Sequence, residues 1–370
     1  MNLHKRLWVV GLVLILVCMS SCKKKEMDNT YTLFVGTYTD SGSEGIYSYT
    51  FNSQTGQLTE KTLAAATSNP SFIKIAPNKA YLYAVNETDT VDGNSGAVTT
   101  FKINEKRLTP MKTVSSFGAH PCHIGVSDDG GMVAISNYSG GTISVFKTGA
   151  DGNLITPEVI DHTRLDSTKT SHAHSALFSK DKLFVADLGL DVVNGYTVED
   201  TNVSFAKPMV LQLPEKAGPR HFVFSNDTAF LYVINELNST ITAYSSNENG
   251  GYIELETKST LAEDFKGDSY CADIRMSADG NYLYGSNRGE NTIVIYSINK
   301  SSGKLSFVGR ESVKGDWPRN FNLDPSGNFL LVANQRSNNI TVYKRDKENG
   351  GLTFIHEIAL PSPVCLEFLD

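Results

Sequence analysis

The sequence predicts an all-β fold, a seven-bladed β-propeller, on two observations. The first is a motif that recurs along the 370 residues, most clearly at 219–246, 271–298 and 318–345. Each copy has a short apolar run, a turn rich in Asp, Ser, Gly and Asn, a second run ending in Asn, and a third alternating run, which is typical of three strands joined by turns. The second is a variable stretch between copies, often with a Gly-x-Leu sequence, which leaves room for a fourth strand. Four strands per repeat indicate a propeller blade.

Seven aligned positions begin the copies, at a spacing of about 45 to 52 residues that suits propeller blades. The last copy stops after one strand-like run, 363–368, whereas 32–37 looks like a second strand with no first strand before it. We therefore expect the C-terminal strand to complete the blade that the N-terminal strands begin, which removes two open sheet edges. The seven positions are Pro70, Pro121, Ala173, Pro219, Cys271, Pro318 and Pro363.

The N-terminus has the pattern of an export signal. Lys5 and Arg6 precede the apolar run 7–17, which is short for a membrane span, and small residues lead directly into Cys22. That ending resembles the lipobox of bacterial lipoproteins, so we predict a signal peptide over 1–22 and a lipid on Cys22. An ordinary cleaved signal or anchor that happens to contain this cysteine is the alternative.

The predicted domain organisation follows from this N-terminus. A linker over 23–30 would lead into one propeller domain over 31–370, because no composition break suggests a second domain. We expect an exported protein on the periplasmic side of a bacterial cell envelope, whose contact with the membrane is the lipid anchor alone. The net charge of −7, with Lys and Arg scattered through the repeats, argues against a nucleic-acid partner.

Neither the cysteines nor the histidines predict a metal site. Cys122, Cys271 and Cys365 fall on predicted first strands without paired spacing, so small buried thiols are favoured over disulfides or zinc ligands. The segment 172–174 carries two histidines, and two more lie at 120 and 123, but no carboxylate or histidine set with firm metal spacing accompanies them. We expect no metal, no cofactor and a monomer.

The candidate site comes from comparing copies of the repeat. In a propeller, the start of the innermost strand and the end of the second strand meet at the mouth of the central channel. The Asn that ends the second strand recurs at 86, 137, 235, 287 and 334, as a scaffold residue should. The positions just after the first-strand start and just after this Asn instead diverge into ionisable groups, which predicts a binding site. They hold Ser71, Cys122, His174, Arg220, Ala272, Arg319 and Val364, and Tyr38, Glu87, Tyr138, Leu188, Glu236, Arg288 and Gln335.

These residue types indicate a particular chemistry. Three arginines at a channel mouth suit a ligand with a carboxylate or phosphate, because guanidinium binds such groups through two parallel hydrogen bonds. His174 and Glu236 are candidates for proton transfer. His221, next to Arg220, is expected to alternate to the other side of its strand and to support the site by packing or hydrogen bonding. The alternative is that the charged residues form inter-blade ion pairs that hold the ring closed.

Several short motifs resemble one enzyme family. They are AGPRH at 217–221, NELNS at 235–239, ADI at 272–274, NR at 287–288 and PRNF at 318–321. They are similar to those of the bacterial lactonases of the seven-bladed propeller type, whose named member is 6-phosphogluconolactonase and to which the fungal carboxy-cis,cis-muconate cyclase is related. The resemblance implies metal-independent hydrolysis of a sugar lactone by a set that falls on His174, Arg220, Glu236 and Arg288.

On this hypothesis Glu236 or His174 activates a water, while Arg220 and Arg288 stabilise the developing oxyanion. Arg319 would hold a ligand anion such as a 6-phosphate. Further substrate-binding candidates are Glu87, His221, Asp273, Asn235 and Gln335.

The export signal conflicts with a role for the protein in the cytoplasm, where 6-phosphogluconolactone is found. Two alternatives to a sugar lactonase therefore remain: a non-catalytic propeller lipoprotein that binds an anionic sugar or a protein partner, and a muconate-type lyase.

Overall fold

The structure, a computed structural model, describes residues 29–155, 157–199 and 202–370, with the backbone alone for 205–208. Residues 1–28 are outside the described residues, and so are the predicted signal peptide, Cys22 and most of the predicted linker. The described residues contain no helix with the length and apolar character that a membrane span requires.

Within the described residues, 28 strands form seven four-stranded antiparallel sheets, which confirms the predicted seven-bladed propeller. A short 3₁₀ helix, His162–Arg164, lies between the third and fourth blades. From the innermost strand outward, blade 1 is β28 (Pro363–Leu369), β1 (Thr30–Thr37), β2 (Gly45–Asn52) and β3 (Leu58–Ala66), and blade 2 is β4 (Ile73–Ile75), β5 (Tyr81–Val91), β6 (Ser95–Asn104) and β7 (Arg107–Ser115). In the same order, blade 3 is β8 (Pro121–Val126), β9 (Met132–Asn137), β10 (Thr142–Lys147) and β11 (Glu158–Asp161), and blade 4 is β12 (Ala173–Ser179), β13 (Lys182–Asp187), β14 (Val192–Glu199) and β15 (Asn202–Gln212). Blade 5 is β16 (Pro219–Phe224), β17 (Phe230–Asn235), β18 (Thr240–Ser246) and β19 (Tyr252–Ser259); blade 6 is β20 (Tyr270–Met276), β21 (Tyr282–Arg288), β22 (Thr292–Ile298) and β23 (Leu305–Ser312); blade 7 is β24 (Pro318–Leu323), β25 (Phe329–Asn334), β26 (Asn339–Arg345) and β27 (Leu352–Ala359).

Blade 1 joins the two ends of the chain, as the sequence predicted. Strand β1 pairs with β2 on one side and with the C-terminal β28 on the other, in a register that runs from Thr32 opposite Leu369 to Gly36 opposite Cys365. Both edges that the termini would leave open are therefore hydrogen-bonded. The ring closes by main-chain pairing.

The innermost strands carry a recurrent β-bulge near their first residues. The register shifts between Pro219 and His221 in blade 5, and blades 3, 4, 6 and 7 show an irregularity at the same place. A bulge inserts one extra residue and redirects the side chains beside it. Two consecutive residues of an innermost strand can therefore both face the central channel.

Glycine turns bind neighbouring blades to each other. Gly303, of blade 6, has a φ of 70°, and a Cβ atom on it would lie 2.3 Å from the ring of Phe230 in blade 5. The hydroxyl of Tyr232 donates a hydrogen bond to the Gly303 carbonyl at 3.0 Å. Gly152 and Gly350 receive the same hydrogen bond from tyrosines of their neighbouring blades. The Gly-x-Leu sequences thus mark the contacts between blades as well as a fourth strand.

Replacing Gly303 by alanine is expected to destabilise the fold by about 1–3 kcal/mol, because the new Cβ would overlap the Phe230 ring and the residue would keep a left-handed backbone. Urea unfolding followed by circular dichroism measures the effect. Gly309→Ala in the same blade is the matched control, since no atom lies within 4 Å of a Cβ at that position. Equal unfolding free energies for the two variants would contradict the proposed inter-blade contact.

Candidate active site at the channel mouth

The two series of divergent positions do meet at the mouth. In six blades the backbone N–H at the divergent position of the second strand donates to the carbonyl of the residue two positions before the divergent residue of the innermost strand. The pairs are Tyr38 to Ser362, Glu87 to Asn69, Tyr138 to His120, Leu188 to His172, Glu236 to Gly218 and Gln335 to Trp317, at 2.7–3.1 Å. One repeated main-chain bond therefore brings the divergent side chains together.

Glu236 lies at the centre of the charged cluster. Its Oε2 atom is 2.8 Å from Arg220 Nε and 2.8 Å from Arg288 Nη2, so one carboxylate oxygen contacts both guanidinia. The Arg220 contact is an ion pair without hydrogen-bond alignment at Nε. Within the described residues, Glu236 Oε1 has no hydrogen-bond partner and is free to bind a water or a ligand.

Both arginines are held further by main-chain carbonyls. Arg220, on blade 5, donates from Nη1 to Ala272 O of blade 6 at 2.6 Å. Arg288 donates to the carbonyls of Tyr270 at 3.2 Å and Cys271 at 3.0 Å. The Glu236–Arg288 pair also spans blades 5 and 6. The cluster therefore forms inter-blade ion pairs, as the alternative interpretation expected, at the same place as the candidate site.

The arginines determine the charge of Glu236. Burial opposes ionisation, but the positive charges of Arg288, Arg220 and Arg319 outweigh burial and lower the pKa of Glu236. The carboxylate is thus ionised at neutral pH. Burial, only partly offset by Glu236, lowers the pKa of Arg288 to about 10, and this guanidinium still carries its charge at neutral pH.

His174 adds a neutral imidazole to the mouth. Its ring is buried, lies 5.1 Å from the His221 ring and 5.7 Å from the Tyr138 ring, and has no hydrogen-bond partner for Nδ1 within the described residues. Burial, followed by the charge of Arg220, holds the pKa of His174 well below 6.5. The ring is therefore unprotonated at neutral pH and offers a nitrogen lone pair.

Arg319, on β24 of blade 7, lines the same small cavity as Arg220. Its guanidinium lies 5.4 Å from the centre of the Tyr38 ring, and the Tyr38 hydroxyl donates to Glu87 Oε2 at 2.8 Å. Among the described residues, Arg319 makes no ion pair with a carboxylate at contact distance. Of the three mouth arginines it is thus the one whose charge is available to a ligand.

Comparison with known proteins identifies the family. The family model described as "Lactonase, 7-bladed beta-propeller" matches residues 32–368. The chain belongs to this lactonase family. It is therefore a lactonase, as the sequence motifs indicated.

Two relatives and one solved structure show how far the similarity extends. The chain is 34% identical over 349 residues to a 6-phosphogluconolactonase of Bacillus subtilis, an alignment that covers 92% of this chain and 98% of the relative. It is 39% identical over 309 residues to a 6-phosphogluconolactonase of Formosa agariphila, covering 79% and 86%. The structure of a periplasmic gluconolactonase from Pseudomonas aeruginosa superimposes with a TM-score of 0.86 at 33% identity, covering 92% of this chain and 99% of that one.

One expectation about the lactonase site was wrong. His221 was expected on the opposite side of its strand from Arg220, but the bulge in β16 interrupts the alternation, and both side chains line one small cavity in the channel. His221 still has a supporting contact, because its Nδ1 lies 2.8 Å from Asp273 Oδ1 and its Nε2 lies 3.3 Å from Arg220 Nη1. With Nδ1 donating to Asp273, Nε2 accepts from Arg220.

Asp273 organises a buried layer below the mouth. Besides His221, it accepts hydrogen bonds from Asn320 Nδ2 at 2.7 Å and Arg275 Nε at 3.2 Å. Although burial opposes ionisation, Arg275 and His221 hold its pKa well below the ordinary range. His221 and Asp273, predicted as substrate-binding residues, therefore lie where they support Arg220, and both are buried.

Two other predicted substrate-binding residues differ in placement. Asn235 is fully buried, and its amide donates to Thr240 and Thr242 of its own blade, which corrects its assignment from ligand contact to scaffold. Gln335 is half-buried, and its Oε1 has no hydrogen-bond partner within the described residues. Gln335 Oε1 and Asn235 Oδ1 are both buried without a hydrogen-bond partner among the described residues, and Gln335 differs in that the rest of its side chain is partly exposed.

The sequence analysis did not assign to the mouth the position two residues before the divergent residue of each innermost strand. His172 stacks on Tyr138 at 4.5 Å, and Trp317 lies 5.2 Å from the Arg288 guanidinium. The signal was present, since this position also diverges from copy to copy, through Asn69, His120, His172, Gly218, Tyr270, Trp317 and Ser362.

No metal-binding constellation occurs in the part of the chain that the structure describes: no group of three or more His, Cys, Asp or Glu residues is placed to hold an ion. The thiols of Cys122, Cys271 and Cys365 are free and buried.

The lactonase is expected to lose stability as the pH falls from about 6.5 toward 4. Burial lowers the pKa of His221 to about 4, whereas a histidine in an unfolded chain titrates near about 6.5. Between these values the unfolded chain binds a proton that the folded chain does not, so the free energy of unfolding falls with decreasing pH. Urea unfolding across this range checks the sign. A His221→Gln variant should show a shallower dependence, and an unchanged slope would count against the assignment.

Proposed function

We propose that this lactonase hydrolyses a sugar lactone, δ-gluconolactone or its 6-phosphate, at the mouth of the central channel and without a metal ion. The observation that carries the proposal is the carboxylate of Glu236, which contacts Arg220 and Arg288 through Oε2 and leaves Oε1 free. The names of the relatives, 6-phosphogluconolactonase and gluconolactonase, support this substrate class.

The proposed first step is addition of water to the lactone carbonyl. Glu236 Oε1 takes a proton from the water as its oxygen bonds to the carbonyl carbon, and the carbonyl oxygen becomes an oxyanion. The bond from that carbon to the ring oxygen then breaks, the ring oxygen takes the proton back from Glu236, and the product is the open aldonic acid. Its carboxyl group then ionises in water.

Arg220 and Arg288 can stabilise the oxyanion as it forms in the addition step. When Glu236 accepts the proton it becomes neutral, and the negative charge moves to the lactone oxygen. The cluster as a whole keeps its charge, but Arg220 and Arg288 lose their carboxylate partner and can bind the oxyanion instead. Fixed guanidinia in a buried site stabilise such a charge more strongly than water does.

His174 and Arg319 complete the proposed site. The unprotonated ring of His174 accepts a hydrogen bond from the attacking water and is the second candidate for the base. Arg319, which has no carboxylate partner at contact distance in the described chain, would bind the 6-phosphate of a phosphorylated ring. A preference for the phosphorylated ring that survives Arg319→Gln would exclude this role.

We further propose that the protein is exported and carries a lipid on Cys22. The charged start, the apolar run and the small residues before this cysteine support both parts of the proposal, and the name of the periplasmic gluconolactonase supports export alone. Cells grown with a labelled fatty acid should yield a labelled protein. Cys22→Ser should abolish the label, and a label retained in that variant would exclude Cys22 as the site.

Glu236→Gln is expected to lower kcat by about 10²-fold or more, because glutamine cannot take the proton. The assay uses the full-length protein and measures the acid released as δ-gluconolactone or its 6-phosphate is hydrolysed. The measured rate is corrected for the spontaneous opening of each lactone in buffer. Glu367→Gln is the matched control: this carboxylate pairs with Lys74 at 2.7 Å, farther along β28 from the mouth. It should leave kcat unchanged.

The outcomes separate the candidate bases and functions. Turnover that survives Glu236→Gln but not His174→Gln would make His174 the base. A wild-type protein that accelerates neither lactone would contradict the enzyme mechanism and favour a propeller that only binds an anionic sugar.

A further inference from the structure

Trp317 occupies a backbone conformation that disfavours large side chains. Its φ is 66°, in the left-handed region. The equivalent residues Asn69, His120, Gly218 and Ser362 of other blades are left-handed as well, and blade 5 uses glycine there. Glycine adopts this conformation without a steric clash, whereas a bulky residue does not. The fold therefore has no need of a tryptophan at this position, and the strained residue calls for another explanation.

Core packing does not supply that explanation. Trp317 is half-buried at the mouth and is absent from the hydrophobic clusters between the blades. Its backbone is fixed without help from the indole, because its N–H donates to Asn291 Oδ1 at 3.0 Å and its carbonyl accepts from Gln335 N at 3.1 Å. The side chain can therefore be considered separately from the loop that presents it.

The indole contacts the charged cluster of the site. Arg288 lies 5.2 Å from the centre of the Trp317 ring, and the exposed Arg336 lies 3.3 Å from it. Both distances are within the range of cation–π attraction. Hydrogen bonds to Tyr270 O and Cys271 O and the ion pair with Glu236 hold the nitrogens of Arg288. The indole adds a contact to the guanidinium that these partners do not provide.

We propose that Trp317 is a positioning residue of the active site, whose indole holds the Arg288 guanidinium beside Glu236 and keeps water from it. The inference rests on the proposed lactone hydrolysis. Without the ring, Arg288 would be better hydrated and free to adopt other rotamers. Its charge would then be screened and displaced from the oxyanion. The effect should fall on kcat more than on KM, because the oxyanion forms in the reaction and not in the bound substrate.

Trp317→Gly separates this role from a structural one. Glycine suits the left-handed backbone, so the temperature of unfolding should stay the same or rise. We expect kcat to fall about tenfold or more, with KM within about threefold of the wild-type value. Trp317→Phe keeps an aromatic ring and should recover most of kcat. Lys180→Gly makes the same backbone change at an exposed left-handed residue in the turn between β12 and β13, at the end of the innermost strand away from the mouth, and should leave both parameters unchanged.

Two results would overturn the inference while the proposed function stands. In the first, Trp317→Gly is as active as Lys180→Gly. In the second, Trp317→Gly also lowers the temperature of unfolding, and kcat falls only as far as that loss of stability explains.

If the wild-type protein hydrolyses neither lactone, the proposed function fails and D-gluconate binding decides the inference. The chain has two tryptophans, Trp8 and Trp317, so full-length protein with Trp8→Phe reports on Trp317 alone. Gluconate should change its fluorescence. By calorimetry, Trp317→Gly should bind gluconate about tenfold more weakly than Trp317→Phe. No fluorescence change, no binding, or equal affinities would overturn the inference.

Discussion

Pairing of the first and last strands is the interaction on which the rest of the structure depends. Strand β28 forms the inner edge of blade 1, and β1 delivers Tyr38 to the mouth beside it. Tyr38 then contacts Arg319 of blade 7 and Glu87 of blade 2. One half of the site is thus built across the junction where the ring closes. An open ring would separate these three residues even with every blade folded.

The charged cluster on the other half serves structure and chemistry with the same atoms. Arg220 and Arg288 are buried, and leaving such cations without a partner is costly. Glu236 and the carbonyls of blade 6 provide the partners and join blades 5 and 6. The two interpretations of the charged positions, inter-blade ion pairs and a ligand site, are therefore compatible. Glu236 compensates the charges of two buried guanidinia. When this carboxylate takes a proton, both guanidinia lose their partner and can bind an oxyanion.

Bulges determine which side chains support that cluster. In blade 5 the bulge turns His221 toward the channel next to Arg220, and Asp273 of blade 6 holds the histidine in the tautomer that accepts from Arg220. Burial keeps His221 and His174 unprotonated at neutral pH. Neutral imidazoles beside guanidinia can accept hydrogen bonds without adding positive charge. A further positive charge would be repelled by the arginines that already lie at the mouth.

The sequence by itself determined the number of blades, the closure by the C-terminal strand and the positions around the mouth, among them Glu236, Arg288 and Arg319. Repeats make this possible, because equivalent positions in a ring of equal blades must be neighbours. Only the tertiary structure decided what the individual side chains do there. That Asn235 points into its own blade, that His221 faces Arg220 and that the Trp317 ring lies 5.2 Å from the Arg288 guanidinium depend on bulges, left-handed residues and contacts between blades. These are set by packing across distant parts of the chain, which local sequence patterns do not record.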